Sequence, residues 1–180
     1  MNHSNVEIER KYLLGRYPEA ELASGGLRLV ERKHIYQTYL AFSGDQEIRI
    51  RKLVVEAGEA QGTEQYTHTF KRGTGLSREE IEYPISRQVY EQLLGLGELV
   101  PLQKTRTTVE DRNGRLFDMD DYAGLQLLTV EAEFASEQEA LSFQPPEWFG
   151  RELGNEEEFR NKKLWLDLQT SGIVGRERKE

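Results

Sequence analysis

No cysteine occurs among the 180 residues, so disulfide staples and thiolate metal sites are excluded at once. Histidine is nearly as scarce. His3, His34 and His68 are scattered without a metal-binding spacing, and each reads as a surface or packing residue. Basic residues are in deficit, with 24 lysines and arginines against 32 aspartates and glutamates and a net charge of -8. The footprint of a general nucleic-acid binder is therefore missing. No apolar run approaches the length of a membrane helix, and the N-terminus has no signal-peptide core. The expectation is a cytoplasmic protein without a membrane partner. Repeats and low-complexity stretches are absent too. Gly73-Thr74-Gly75 precedes no helix pattern, which argues against a dinucleotide loop.

What the chain has in quantity is charge, 31% of its residues, and much of it recurs with a period of two. Side chains alternate between faces along a strand. Val6 to Leu14 therefore places Glu7, Glu9 and Lys11 on one face, and Val6, Ile8 and Tyr12 on the other. The device repeats with Glu47, Arg49 and Arg51, then Thr67, Thr69 and Lys71, then Arg78, Glu80 and Glu82. Lys104 with Arg106, and Glu131 with Glu133, continue it. Taken singly, each strand reads as part of a sheet with one greasy core face and one solvated charged face. Spacing alone does not say whether the charged face looks into a tunnel or out to water.

Punctuation residues divide the chain into elements. A short helix is expected within 17–31, weakened by Gly25-Gly26, followed by strands near 34–42, 46–55, 64–72 and 78–85. Gly58 and Gly62 mark a hairpin loop, and 73–75 the next turn. Ser86 caps a helix over about 87–96. Strands follow near 102–112, 115–121 and 125–134, with Asn113-Gly114 as a hairpin turn. Ser136 opens another short helix, and a last helix is expected over 156–169. The fold class is α+β, with about eight strands in an antiparallel sheet whose edges vanish if it closes into a barrel. The domain is expected over 1–169, with a polar, loose tail over 170–180.

The charge inventory favours an enclosed surface. Guanidinium forks suit phosphate oxygens, yet a phosphate alone is repelled by so many carboxylates. Divalent cations between carboxylates and phosphates remove the conflict, because hard cations take oxygen ligands from both.

Glu7-Ile8-Glu9-Arg10-Lys11 resembles the ExExK signature of the CYTH superfamily, the triphosphate tunnel metalloenzymes. The ordered series Gln37-Thr38-Tyr39-Leu40, Glu47-Ile48-Arg49-Ile50-Arg51, Phe70-Lys71, Gly75 to Glu82, Lys104-Thr105-Arg106, Phe117-Asp118 and Val130 to Glu133 extends the resemblance from about Val6 to Asn161. It implies a closed eight-stranded antiparallel barrel with flanking helices and a C-terminal helix, its tunnel binding triphosphate with Mg²⁺ or Mn²⁺. The implied metal ligands are Glu7, Glu9, Asp118, Glu131 and Glu133. The implied substrate contacts are Lys11, Arg49, Arg51, Lys71, Arg78 and Arg106. Lys104 is either a general acid–base group, with Tyr39 as partner, or one more phosphate ligand; Glu80 and Glu82 either orient arginines or bind metal.

Within that family the Gln-x-Tyr-Leu and Gly-Leu-Ser-Arg-Glu-Glu-Ile-Glu segments look most like small bacterial inorganic triphosphatases. The implied activity is metal-dependent hydrolysis of tripolyphosphate or a related small-molecule triphosphate, by a monomer or homodimer. An adenylate cyclase using the same tunnel and a non-catalytic polyphosphate binder are the alternatives. The C-terminal segment departs from the family wording and leaves Arg160 and one of Lys162 and Lys163 as further phosphate contacts.

Overall fold

The computed structural model describes residues 6–122, 124–154 and 156–171. In chain order the elements are β1 (Val6–Leu13), α1 (Glu19–Ala23), β2 (Leu27–Ser43), β3 (Gln46–Ala57), β4 (Glu64–Arg72) and β5 (Ser77–Pro84). Then come α2 (Arg87–Leu94), β6 (Leu102–Asp111), β7 (Leu116–Tyr122), β8 (Leu127–Glu133), α3 (Glu137–Ser142), a 3-10 turn (Glu157–Phe159) and α4 (Asn161–Ser171). The eight strands close in the order β1-β5-β4-β3-β2-β6-β7-β8, every pair antiparallel.

Local chemistry sets most boundaries. The Ser86 and Ser136 side chains accept from the backbone N–H groups of Val89 and Glu139, capping α2 and α3. Gly114 turns the β6–β7 hairpin at φ 80, where an L side chain is strained. Two expectations need correction. β2 starts at Leu27 rather than near 34, because Arg28, Leu29 and the charged run Glu31 to Lys33 are held by ladders to β6 and β3. The helix expected over 156–169 is instead a 3-10 turn and α4, separated by Arg160 in extended conformation (φ -77, ψ 135). The tail expected over 170–180 lies outside the described residues from 172 on.

Two apolar clusters hold the barrel. The larger lies on its outer face. Tyr12, Val109, Phe117, Met119, Val130 and Ala132 are covered by Phe134, Ala140 and Phe149. The Phe149 ring packs tilted against Tyr12 (centroids 5.0 Å apart) and edge-to-face against Phe117 (5.3 Å). Truncating such a residue to alanine costs about 3–5 kcal/mol. The smaller cluster, Tyr39, Leu102, Tyr122 and Trp165, seats α4 on the barrel. The apolar outer face is not covered everywhere: Ile81 and Tyr83 on β5 remain exposed at 40% and 47%.

β1 is paired to β5 only over Val6–Ile8 and to β8 over Glu9–Leu13. Past that split, residues 150–153 strap its free edge. Gly150 N–H donates to Leu13 O (2.8 Å), Leu13 N–H to Arg151 O (2.9 Å) and Leu153 N–H to Lys11 O (2.8 Å). A Cβ on Gly150 would lie 2.6 Å from the Leu13 carbonyl oxygen, so only glycine allows this approach. Among the described residues no helix is long and apolar enough to cross a membrane.

Candidate active site

The parity read from the sequence is the inward face of the barrel. Cross-strand partners share a face, and the register pairs Lys11 with Glu131, Glu9 with Glu133, Arg49 with Tyr39 and Thr69, Lys71 with Glu47 and Glu80, Arg106 with Asp120, and Asp118 with Glu131. The enclosed space is a cavity of about 590 Å³. Its wall includes Glu7, Glu9, Lys11, Tyr39, Arg49, Arg51, Lys71, Arg78, Lys104, Arg106, Glu131 and Glu133. Of the residues expected to build the site, only Asp118 is not on that wall. It stands one layer back, accepting from Arg106 Nη1 (2.7 Å) and Thr108 Oγ1 (2.6 Å).

The wall is a lattice of ion pairs. Lys71 Nζ donates to Glu7 Oε2 and lies 2.5 Å from Glu80 Oε2. Arg78 pairs with Glu9, and Arg51 with Glu82. Arg106 reaches Asp118, Asp120 and Glu131 at 2.5–2.7 Å. Lys11 Nζ is 3.2 Å from Glu131 Oε1 and donates to the Tyr122 hydroxyl (3.1 Å), which in turn donates to Asn161 Oδ1 (2.7 Å). Glu80 and Glu82 thus face lysine and arginine.

Asp120 was not among the expected site residues. Fully buried, it accepts from Lys104 Nζ (2.6 Å) and from two nitrogens of Arg106 (2.7 and 2.6 Å). The alternation Asp118-Met119-Asp120 carried the signal, since 118 and 120 share a face.

These neighbours set the protonation states. Burial, with the charges of Arg106 and Lys11, pulls Lys104 down to about 8 against Asp120 and Glu131. Burial disfavours the Glu131 and Asp120 carboxylates. Lys11, Arg106 and Lys104 nevertheless hold Glu131 well below its usual range, and Arg106 and Lys104 lower Asp120. Glu133 goes the other way. Desolvation within the cavity and the charges of Glu7, Asp118 and Glu9 push it up to about 6. Burial raises Tyr39, whose hydroxyl accepts from Gln37 Nε2 (3.0 Å). Its phenol therefore keeps its proton at neutral pH.

Two features bear on ligands. Nε of Arg49 and of Arg51 are buried with no acceptor among the described residues, although buried guanidinium donors are normally satisfied. An anion with several oxygens would supply what they lack. Beside its burial, Glu133 feels the charges of Glu7, Asp118 and Glu9, and all-oxygen donors suit a hard divalent cation. Among the described residues no group of three or more His, Asp or Glu side chains is already gathered as a cation cage. Most of the acids are turned to lysine and arginine partners, so holding a cation requires them to swing off those partners. The donor set fits the cation in kind, since every candidate donor is a carboxylate oxygen.

Comparison with known proteins gives a consistent answer. The CYTH domain family matches residues 5–162. An inorganic triphosphatase of Nitrosomonas europaea is 38% identical over 166 residues, covering 91% of this chain and 99% of that protein. An inorganic triphosphatase of Acetivibrio thermocellus is 28% identical over 159 residues, covering 88% and 92%. The crystal structure of the inorganic triphosphatase NE1496 superposes with a TM-score of 0.58 at 32% identity, covering 92% of this chain and 96% of the other.

Proposed function

This chain belongs to the CYTH domain family, and from that premise we propose that it hydrolyses inorganic triphosphate to pyrophosphate and orthophosphate within the barrel. The observation that carries the reading is the pair of buried, acceptorless Nε donors of Arg49 and Arg51, set in a tunnel whose other wall is carboxylate. Membership of a metalloenzyme family implies a divalent metal. Mg²⁺ or Mn²⁺ held by Glu7, Glu9, Asp118, Glu131 and Glu133 is the finer assignment. When bound, the ion would neutralise charge on the non-bridging oxygens.

The protein's own groups account for the rest. Lys11, Arg49, Arg51, Lys71, Arg78 and Arg106 clamp the phosphates, stabilising the charge that builds on them in the transition state. Water attacks the terminal phosphorus, the bridging P–O bond breaks, and pyrophosphate leaves with the bonding electron pair. Lys104 is the proton acceptor. Pulled down to about 8, it is partly unprotonated near neutral pH, and Asp120 at 2.6 Å fixes its Nζ. Tyr39 lines the same wall with its proton retained and serves as a neutral hydrogen-bond donor. The same reading keeps residues 1–169 as one tunnel domain of a cytoplasmic monomer or homodimer with no nucleic-acid partner, in line with its net charge of -8.

A phosphate-release panel with tripolyphosphate, thiamine triphosphate, ATP and pyrophosphate tests this reading. Tripolyphosphate should be the best substrate. Formation of cyclic AMP from ATP as the dominant reaction would replace hydrolysis with cyclisation.

A further inference from the structure

Gln37 stands on β2 two residues before Tyr39, so both side chains point into the barrel. Of the two, Tyr39 reaches the cavity wall and Gln37 does not. Gln37 lies behind it, 1% exposed, with Arg51 of β3 and Leu102 of β6 as its cross-strand partners. Its Nε2 donates to the Tyr39 hydroxyl at 3.0 Å. Its Oε1 is buried and has no donor among the described residues. A buried amide left half-satisfied costs more than an apolar side chain of similar size. What sets this amide apart from such a side chain is the N–H it gives to Tyr39.

A phenol has one proton to donate and two lone pairs with which to accept. Gln37 takes a lone pair from behind, so the Tyr39 proton is not used on it. The ring itself is held. It packs tilted against Trp165 of α4, centroids 5.5 Å apart, in one cluster with Leu102 and Tyr122. Arg49, opposite Tyr39 on β3, sets a permanent cation near the phenol, and a guanidinium accepts no proton either. Among the described residues no group accepts the Tyr39 O–H. The open direction for that proton is the cavity that Tyr39 lines.

We propose that Gln37 is a positioning residue: its N–H, held on the Tyr39 oxygen, turns the phenol O–H into the tunnel, where it donates to a phosphate oxygen of bound triphosphate. This rests on the triphosphatase reading. Gln37 touches no substrate and acts only through Tyr39. The opposite amide orientation would set Oε1 against the hydroxyl and draw the phenol proton away from the tunnel.

A double-mutant cycle tests this, with kcat/KM for tripolyphosphate measured under one metal for wild type, Gln37→Met, Tyr39→Phe and the double variant. Gln37→Met keeps an unbranched side chain and removes the amide. It should lose about three- to tenfold, the scale of one neutral hydrogen bond. On top of Tyr39→Phe it should lose less than about twofold, because the hydroxyl it positions is gone. Gln37→Glu keeps the shape but offers only acceptor oxygens, since a carboxylate beside Arg51 stays ionised. It should lose at least as much as Gln37→Met. Losses that multiply in the double variant would overturn the proposal, as would a Gln37→Met or Gln37→Glu enzyme of wild-type activity. Thermal melting checks folding, and if one Gln37 variant fails to fold the other completes the cycle. If the wild type prefers ATP to tripolyphosphate, the triphosphatase reading falls instead. Calorimetric binding of tripolyphosphate to the same four proteins then decides: a loss on Gln37→Met that disappears beside Tyr39→Phe supports the positioning role, and a loss that persists, or none at all, overturns it.

Discussion

Lys104 donates to Asp120 across neighbouring strands, Nζ to Oδ2 at 2.6 Å, with 3% and 0% of the two side chains open to solvent. The pair joins a lysine whose proton is loosened by burial to the carboxylate that keeps it in place. Asp120→Asn removes the charge that opposes the lowering of Lys104. The rising limb of the pH–rate profile should move to lower pH. Removing one partner of a buried pair also costs about 3–5 kcal/mol of stability, so chemical denaturation should accompany the kinetics. An unmoved limb would detach Asp120 from Lys104 function.

Lys104→Arg keeps a cation but not a group that titrates near neutrality. Turnover should fall about 10²- to 10⁴-fold, the usual worth of general acid–base help, and the limb near pH 8 should vanish. KM should change far less than kcat. An active variant with the wild-type pH profile would leave Lys104 as one more phosphate ligand.

Much of this site was legible in the sequence, because strand parity is a local property. Glu7-x-Glu9-x-Lys11 and Glu47-x-Arg49-x-Arg51 state which side chains share a face whatever the strands pair with. Asp120 obeys the same rule, sharing a face with Asp118, but lies beyond the Phe117-Asp118 motif. What the sequence left out depends on distant partners. The strand beginning at Leu27 loses its apolar alternation after Leu29, where the register shifts and Glu31 to Lys33 follow, and its pairing to β3 and β6 supplies the order. The strap at 150–153 exists only because β1 has a free edge there. Which acids face which cations followed from cross-strand register, which no window of a single strand contains.

Glu133 gives a prediction about metal-free protein. Its carboxyl is raised from an ordinary value of 4.5 to about 6. Between those pH values the folded state holds a proton that the unfolded chain has released, so this group's contribution to stability falls as pH rises through that window. In EDTA, Glu133→Gln should therefore melt higher than wild type at pH 7, with the gap closing near pH 4.5. Added Mg²⁺ or Mn²⁺ should raise the wild-type melting temperature at pH 7 more than that of the variant. A gap independent of pH would show that neither burial nor the charges of Glu7, Asp118 and Glu9 raise Glu133.

The central claim is that carboxylates and cations share one tunnel because a divalent ion and a triphosphate occupy it together. Tripolyphosphate hydrolysis by the wild type, measured first in excess EDTA and then after Mg²⁺ or Mn²⁺ is restored, tests it most directly. The account predicts no turnover in chelator and full recovery with the ion. Undiminished phosphate release in EDTA would contradict it, and would leave the acidic wall as no more than the counter-charge of the lysines and arginines beside it.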